Sequence, residues 1–208
     1  MRTIYRLTAI ALTAALAPVL GTAPALAQAA TPADGQAASK YVDDLSTRVF
    51  AVLKEGKAPS RAKLRVMLRE NFALDEIGNR LIRRYRSQIT PAQYAAYMTA
   101  LPEFAINAYG DRLYNYSSAD VQPVRTVPRG TRGDIDVYTR IVKPGGSNPF
   151  EAIWTVRKVG GKFLIINLSV AGINLALTQE ADFSAYIAKN GFDALTAFLK
   201  SSNAKAAI

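Results

Sequence analysis

The sequence predicts an α+β fold in one domain: a four-stranded antiparallel twisted sheet packed by N-terminal and C-terminal helices. Three observations carry this. Apolar residues recur at helical spacing through the first half of the chain. From Asp120 the period changes to two. The stretch FEAIWTVRKVGGKFLIINLSVAGINLAL, from Phe150 to Leu177, then sets two β-branched and aromatic runs around Gly160-Gly161, a hairpin signal.

The chain opens with a leader. Arg2 and Arg6 precede an apolar run from Leu7 to Leu20, and Ala25-Leu26-Ala27 supplies small residues for a peptidase. This reads as a signal peptide over 1–27, cleaved before Gln28. No later apolar run reaches the length of a membrane span, so the exported chain is expected to be soluble. Residues 28–38, rich in Ala, Thr, Pro, Gly and Gln, read as a flexible leader, which leaves 39–208 as the domain.

A helix is expected from Ser39, with Tyr41, Val42, Leu45, Val49, Val52 and Leu53 inside and Gly56 at its end. Ser60 is a candidate N-cap for the next helix, on Leu64, Met67 and Leu68. Leu74 to Gln88 reads as a third, with Ile77, Leu81, Ile82 and Tyr85 inward. Its arginines, with Arg61, Lys63, Arg65 and Arg69, form a basic face: a solvated surface, or a dock for acidic partners or lipid headgroups. Thr90-Pro91-Ala92-Gln93 is a strong helix start. That helix runs long, past Pro102 towards Tyr116, on Tyr94, Tyr97, Met98, Leu101, Phe104, Tyr109 and Leu113.

Val121 to Val127 reads as a strand, with Pro123 marking an edge. Ile135, Val137, Thr139 and Ile141 are the inward side of a second strand. The hairpin supplies two more, and helices follow Gly172 and Gly191. Strict alternation puts Phe163 and Ile165 on one face of the last strand and Leu164, Ile166, Leu168 and Val170 on the other. A sheet apolar on both faces must be covered on both.

Composition narrows function. The chain has no Cys and no His, so Ser-His-Asp and Cys-His chemistry are absent and the commonest metal ligand is missing. Asp134 and Asp136 share a strand face, as acid/base pairs can, but Tyr138 and Arg140 follow them there and the face reads as solvated. The glycine pairs are turns rather than phosphate loops, since neither opens a helix. No catalytic site and no cofactor are expected. The formal charge is +10, or +8 without Arg2 and Arg6. That charge suits anionic lipid or acidic proteins, and nucleic acid is a poor reading for an exported chain. The surplus apolar sheet surface suggests a cavity between sheet and helices. An acyl tail of about fifteen carbons gains roughly 10 kcal/mol on leaving water.

Three pieces carry a family likeness: Tyr85-Arg86 followed by Thr90-Pro91-Ala92-Gln93 and a long helix holding Ala108-Tyr109-Gly110; the strand end Val170 to Leu175; and Asn190 to Leu195 with Leu199-Lys200. In order and spacing they resemble the MlaC, or toluene-tolerance, family of periplasmic phospholipid-binding proteins. The resemblance implies a periplasmic shuttle, a monomer and not an enzyme. It would carry phospholipid between an inner-membrane ABC transporter complex and an outer-membrane lipoprotein–porin complex, in support of outer-membrane lipid asymmetry. The family often has Trp-Arg at Tyr85-Arg86, Asp at Asn167 and Glu-Gly-Val-Ser at 171–174, so two acids near the pocket rim are missing here. A hopanoid-type cargo is the implied variant. With family position as a guide, the expected lipid contacts are Val137, Trp154, Ile166, Leu168, Ile173 and Leu175 on the sheet side. Tyr97, Leu101, Phe104 and Leu113 are expected on the helix side.

Overall fold

The computed structural model describes residues 30–145 and 148–206; the expected signal peptide lies outside them. The first helix, α1, spans Pro32–Leu53, seven residues earlier than the apolar pattern alone suggests. Local chemistry sets that start. Thr31 accepts from the Asp34 amide, the Asp34 carboxylate accepts from the Thr31 amide, and Pro32 sits at N1. Residues 32–38, read as leader from their composition, are therefore helical, and Gly35 and Ala38 are already buried. Helix α2 is Lys57–Asn71 and α3 is Leu74–Leu81. Ser60 lies inside α2 rather than capping it, its hydroxyl bonded to the Gly56 carbonyl and the Tyr114 phenol. Helix α3 stops at Leu81, where a run of turns replaces the longer helix expected to Gln88. Helix α4, Pro91–Tyr114, begins at the capping box read from sequence, with Thr90 and Gln93 bonded reciprocally.

Strands β1 (Asp120–Arg129), β2 (Asp134–Val142), β3 (Phe150–Val159) and β4 (Lys162–Val170) form an antiparallel meander. A two-residue β5, Ile173–Asn174, folds back on β4 and makes the sheet five-stranded. Helices α5 (Leu175–Asn190) and α6 (Phe192–Ala206) complete the chain. None of the described helices is long and apolar enough to cross a membrane.

The register of β4 corrects the expectation of a sheet apolar on both faces. Val156 pairs with Ile165, but the next pair is Thr155 with Asn167, so Ile166 is bulged out. A bulge adds one residue and reverses the alternation beyond it. Phe163 and Ile165 thus share a face with Leu168 and Val170. Ile135, Val137, Thr139 and Ile141 of β2, and Phe150, Ala152, Trp154 and Val156 of β3, stand on that same face by register. The bulge also lets two successive β4 carbonyls face outward: Ile165 accepts from the Ala73 amide at 2.9 Å and Ile166 from Arg80 Nη2 at 2.7 Å. Helix α1 lies across the apolar face, packing Ala38, Val42 and Leu45 on Ile135, Val137, Val156 and Ile165.

The opposite face is polar but not solvated, which corrects the reading of Asp134 and Asp136. Both are buried. Asp134 takes a two-pronged contact from Arg157 at 2.5 and 3.0 Å, and Arg157 also reaches Glu76 of α3 at 2.7 Å. Asp136 accepts from Thr155 at 2.7 Å and from Arg129 at 3.2 Å. The hydrogen bond to Asp134 raises the pKa of the Arg157 guanidinium above its usual value. A second core joins α3, α4, α5 and α6 around Tyr97, Leu101, Phe104, Phe183, Phe192, Leu195 and Leu199. Helices α3 and α4 approach closely at Gly78, where a Cβ would sit 2.5 Å from Met98 Sδ.

Removing one member of a buried pair strands the other. Asp134→Ala is expected to lower the urea-unfolding free energy by about 3 kcal/mol with an unchanged m-value; a loss within error of zero would show that the face is solvated after all. A second measurement concerns α2 and α4, which Arg65 ties together through Glu103. The bond from Arg65 holds the Glu103 carboxyl below its usual range. A lowered carboxyl contributes stability above its unfolded pKa and loses it as pH falls through the folded value. Arg65→Gln should remove that part of the acid sensitivity in thermal melts taken between about pH 6 and pH 2.

Candidate functional site

Helix α1 fills only one end of the apolar sheet face. Under Ala38, Val42 and Leu45 the strand residues are fully buried: Val137 and Val156 are at 0% exposure. Trp154 marks the boundary. Its indole Nε1 donates to Thr139 Oγ1 at 3.1 Å, and that hydroxyl donates to the Ala152 carbonyl at 3.1 Å, so the ring is held while remaining half-buried. Beyond it, Phe50, Phe150, Leu168 and Val170 pack around Val121, Ile141 and Ala152, yet each of the four stays half-buried. An apolar residue on the covered face of an inner strand is normally enclosed. Here the row is left partly open.

Tyr116, just past α4, stacks edge-on against Phe150 at 5.4 Å. Tyr109 of α4 donates to Gln179 Oε1 of α5 at 3.1 Å, tying the two helices. Ile173 pairs with Val170 across the β4–β5 turn and is 56% exposed; Leu177, in the first turn of α5, is 59% exposed. The turn is anchored by the Ala171 amide on the Glu151 carbonyl at 2.8 Å. The arrangement offers apolar contact, with tyrosine phenols and one glutamine amide as its polar tips. It presents no nucleophile–base pair.

The expected contact residues separate into groups. Trp154 and Leu168 stand together on the half-buried row, with Ile173 and Leu175 at its β5–α5 end. Val137 lies under α1. Ile166 is the bulged residue, 4% exposed. Tyr97, Leu101 and Phe104 lie in the helical core, where Phe183 and Phe192 pack on Tyr97 and the Tyr97 phenol donates to the Gly78 carbonyl at 3.2 Å. Burial pushes that phenol's pKa well up. Leu113 is 37% exposed near the end of α4. Sequence reasoning missed Phe50, Phe150 and Val170 as members of the row. Phe50 sits in the last turns of α1 and had a helical position; Phe150 and Val170 join one face only once the bulge fixes the register.

A concave cleft of about 380 Å³ opens elsewhere, between the turns after α3 and the outer side of α5. Arg83, Arg84, Tyr85 and Glu180 line it together with Leu177, Ala181, Ala185 and Ala188.

A family model described as MlaC protein matches residues 43–201. Among solved structures, the chain is similar to the phospholipid-binding protein from Ralstonia solanacearum, determined in complex with a phospholipid. The TM-score is 0.69 and the identity 20%, over 82% of this chain and 99% of that one. At that identity the likeness is one of fold.

Proposed function

We propose that this chain, which belongs to the MlaC family, is a periplasmic phospholipid carrier and not an enzyme. The observation that carries the reading is the half-buried apolar row of Trp154, Leu168 and Val170, on the face of the sheet that α1 leaves partly open. Its neighbours in sequence, Ile173 and Leu175, extend the row to the mouth between β5 and α5. The relative from Ralstonia solanacearum, solved with a phospholipid, supports the same ligand class. The chemistry needed is modest. A free phospholipid cannot cross water because each exposed CH₂ costs about 0.8 kcal/mol. A carrier has to cover enough of them, and it needs no nucleophile or base. The absence of His and Cys fits that task.

In this reading the protein carries lipid as a monomer. It moves between an inner-membrane ABC transporter complex and an outer-membrane lipoprotein–porin complex, after removal of residues 1–27. The direction of net transport is then set by the partners. The helix-side contacts in this reading come from the C-terminal half of α4, where Leu113 is exposed. Tyr97, Leu101 and Phe104 would reach the lipid only if the helical core parts. A hopanoid-type lipid would use the same apolar row without a phosphate.

Protein purified from its own periplasm and sprayed under native conditions should carry a bound mass of several hundred daltons, and extraction should return a phospholipid. A clean apo mass would favour the rival reading, a basic docking module whose core is filled by its own side chains. Ile173→Glu tests the mouth, because a side chain already 56% exposed can take a charge without a folding penalty. The variant should melt within a few degrees of the parent and lose most of its lipid. Full lipid occupancy in the folded variant would remove Ile173 from the site.

A further inference from the structure

We infer that Gly110 of α4 is the floor of an acyl-tail seat, and that the space over it sets how long a tail the bound lipid can have. The inference rests on the carrier reading and adds to it the residue that determines chain length.

A glycine inside a helix needs a reason, because it is destabilising against alanine. Two reasons are structural: a positive φ, or a neighbour so close that a Cβ cannot fit. Every other described glycine has one of them. At Gly35 a Cβ would sit 2.8 Å from Thr126 Oγ1, and at Gly78 it would sit 2.5 Å from Met98 Sδ. The rest have φ between 56° and 105°. Gly110 has neither reason. It lies within α4. Among the described residues, a Cβ there would meet nothing within 4 Å beyond its chain neighbours and the helix backbone. Yet Gly110 is buried. The space beside it is enclosed and unfilled, and the helix itself gains nothing from it.

Neighbouring contacts locate this space. By helical spacing Ile106, Leu113 and Tyr114 share the side of α4 that carries Gly110. Ile106 packs with Leu53 at the end of α1 and with Leu64 of α2. The Tyr114 phenol meets the Ser60 hydroxyl of α2. Helix α4 is thus held to the α1–α2 corner one turn before Gly110 and one turn after it, with the gap between. Phe50 packs against this corner and also against the cluster that holds the half-buried row. The row and the space therefore adjoin, with Phe50 between them.

The chemistry of the space selects the occupant. Ile106 and Leu113 are apolar, and the phenol and hydroxyl satisfy each other. Asn107, three residues before Gly110, turns to Asn203 of α6. A water would find few partners there, whereas a methylene leaves bulk water for apolar surroundings. With no Cβ in the way, a tail can approach α4 a side chain's breadth closer than at any other position of the helix.

The test is a competition. Delipidated protein is offered dilauroyl and dipalmitoyl phosphatidylglycerol in equal amounts, and the bound species are read by native mass. Gly110→Leu, which fills the space, should shift the preference towards the short tails about tenfold, the worth of two displaced methylenes. Gly110→Ala should shift it the same way by about fourfold, for one methylene. It should also raise the melting temperature of the lipid-free protein by about 3 °C, because an unobstructed Cβ favours the helix. Val66→Leu, on the exposed side of α2, should do neither. An unchanged preference in both glycine variants overturns the inference and leaves the carrier reading standing. So does a lowered melting temperature in Gly110→Ala, which would mean that the space is already filled. If Gly110→Leu does not fold, Gly110→Ala decides alone. A parent that binds neither lipid sinks the carrier reading, and the seat with it.

Discussion

One extra residue in β4 decides how the two halves of this protein meet. Without the bulge at Ile166, Leu168 and Val170 would face Asp136 and Thr155, and the apolar surface would be divided. With it, the apolar residues Ile135, Val137 and Ile141 of β2, Phe150, Trp154 and Val156 of β3, and Phe163, Ile165, Leu168 and Val170 of β4 all stand on the α1 face, and the other face is free to hold charge. The bulge also releases two neighbouring carbonyls to the strand edge, where Ala73 and Arg80 take them. The chain leaving α2 is therefore hydrogen-bonded to the sheet at the same point at which the sheet changes register. A regular strand turns successive carbonyls to opposite sides, so this grip and the regrouping of side chains have one cause.

Two cores then follow, and they are packed differently. The helical core closes on itself through aromatic contacts: Phe183 packs on both Tyr97 and Phe104, and Phe192 on Tyr97. The sheet core is closed only under α1. Past Phe50 the covering falls to scattered contacts, and apolar residues of inner strands remain half-buried. Enclosing them would contribute at about 25 cal/mol per Å², a gain that the chain forgoes. A fold selected only for stability would extend α1 or tilt α4 over that row. Forgone burial at one end of an otherwise closed core is what a reversible ligand seat requires, since a seat filled by the protein's own side chains must first be emptied.

Much of this was legible in the sequence where the determinant is local. The capping box at Thr90, the Gly160-Gly161 hairpin and the order of helices and strands depend on neighbours a few residues apart. The start of α1 was also local, but Thr31 and Asp34 sit in an Ala/Thr/Pro-rich stretch whose composition suggested a leader. The faces were not legible. Alternation assumes an unbroken register, and nothing in the order of Leu164, Ile165, Ile166 and Asn167 announces which residue will bulge. The segment hydrogen-bonded to it, residues 72–80, lies far off in the chain. Asp134 was misread for the same reason: its neighbours at 136, 138 and 140 are polar, while the groups that bury it, Arg157 and Glu76, come from another strand and from a helix. Apolar stripes on α4 indicated burial correctly but could not say against which core.

The polar face completes the argument about where the structure can yield. Arg157 bridges Asp134 on β2 to Glu76 on α3, and Arg80 of the same helix bonds the β4 backbone. Breaking the Arg157–Asp134 pair leaves a buried carboxylate unpaired, which costs about 3 kcal/mol or more. At the other end, the contact between the helical half and the sheet is of another kind: Tyr116, just past α4, rests edge-on against Phe150. Such a contact is worth about 1 kcal/mol. The halves are thus pinned by charge beside the bulge and held by a weak aromatic contact beside Phe150. The cheaper separation lies at the end where the apolar row is exposed, so the distribution of bond strengths and the distribution of unfilled apolar surface point to the same edge of the molecule.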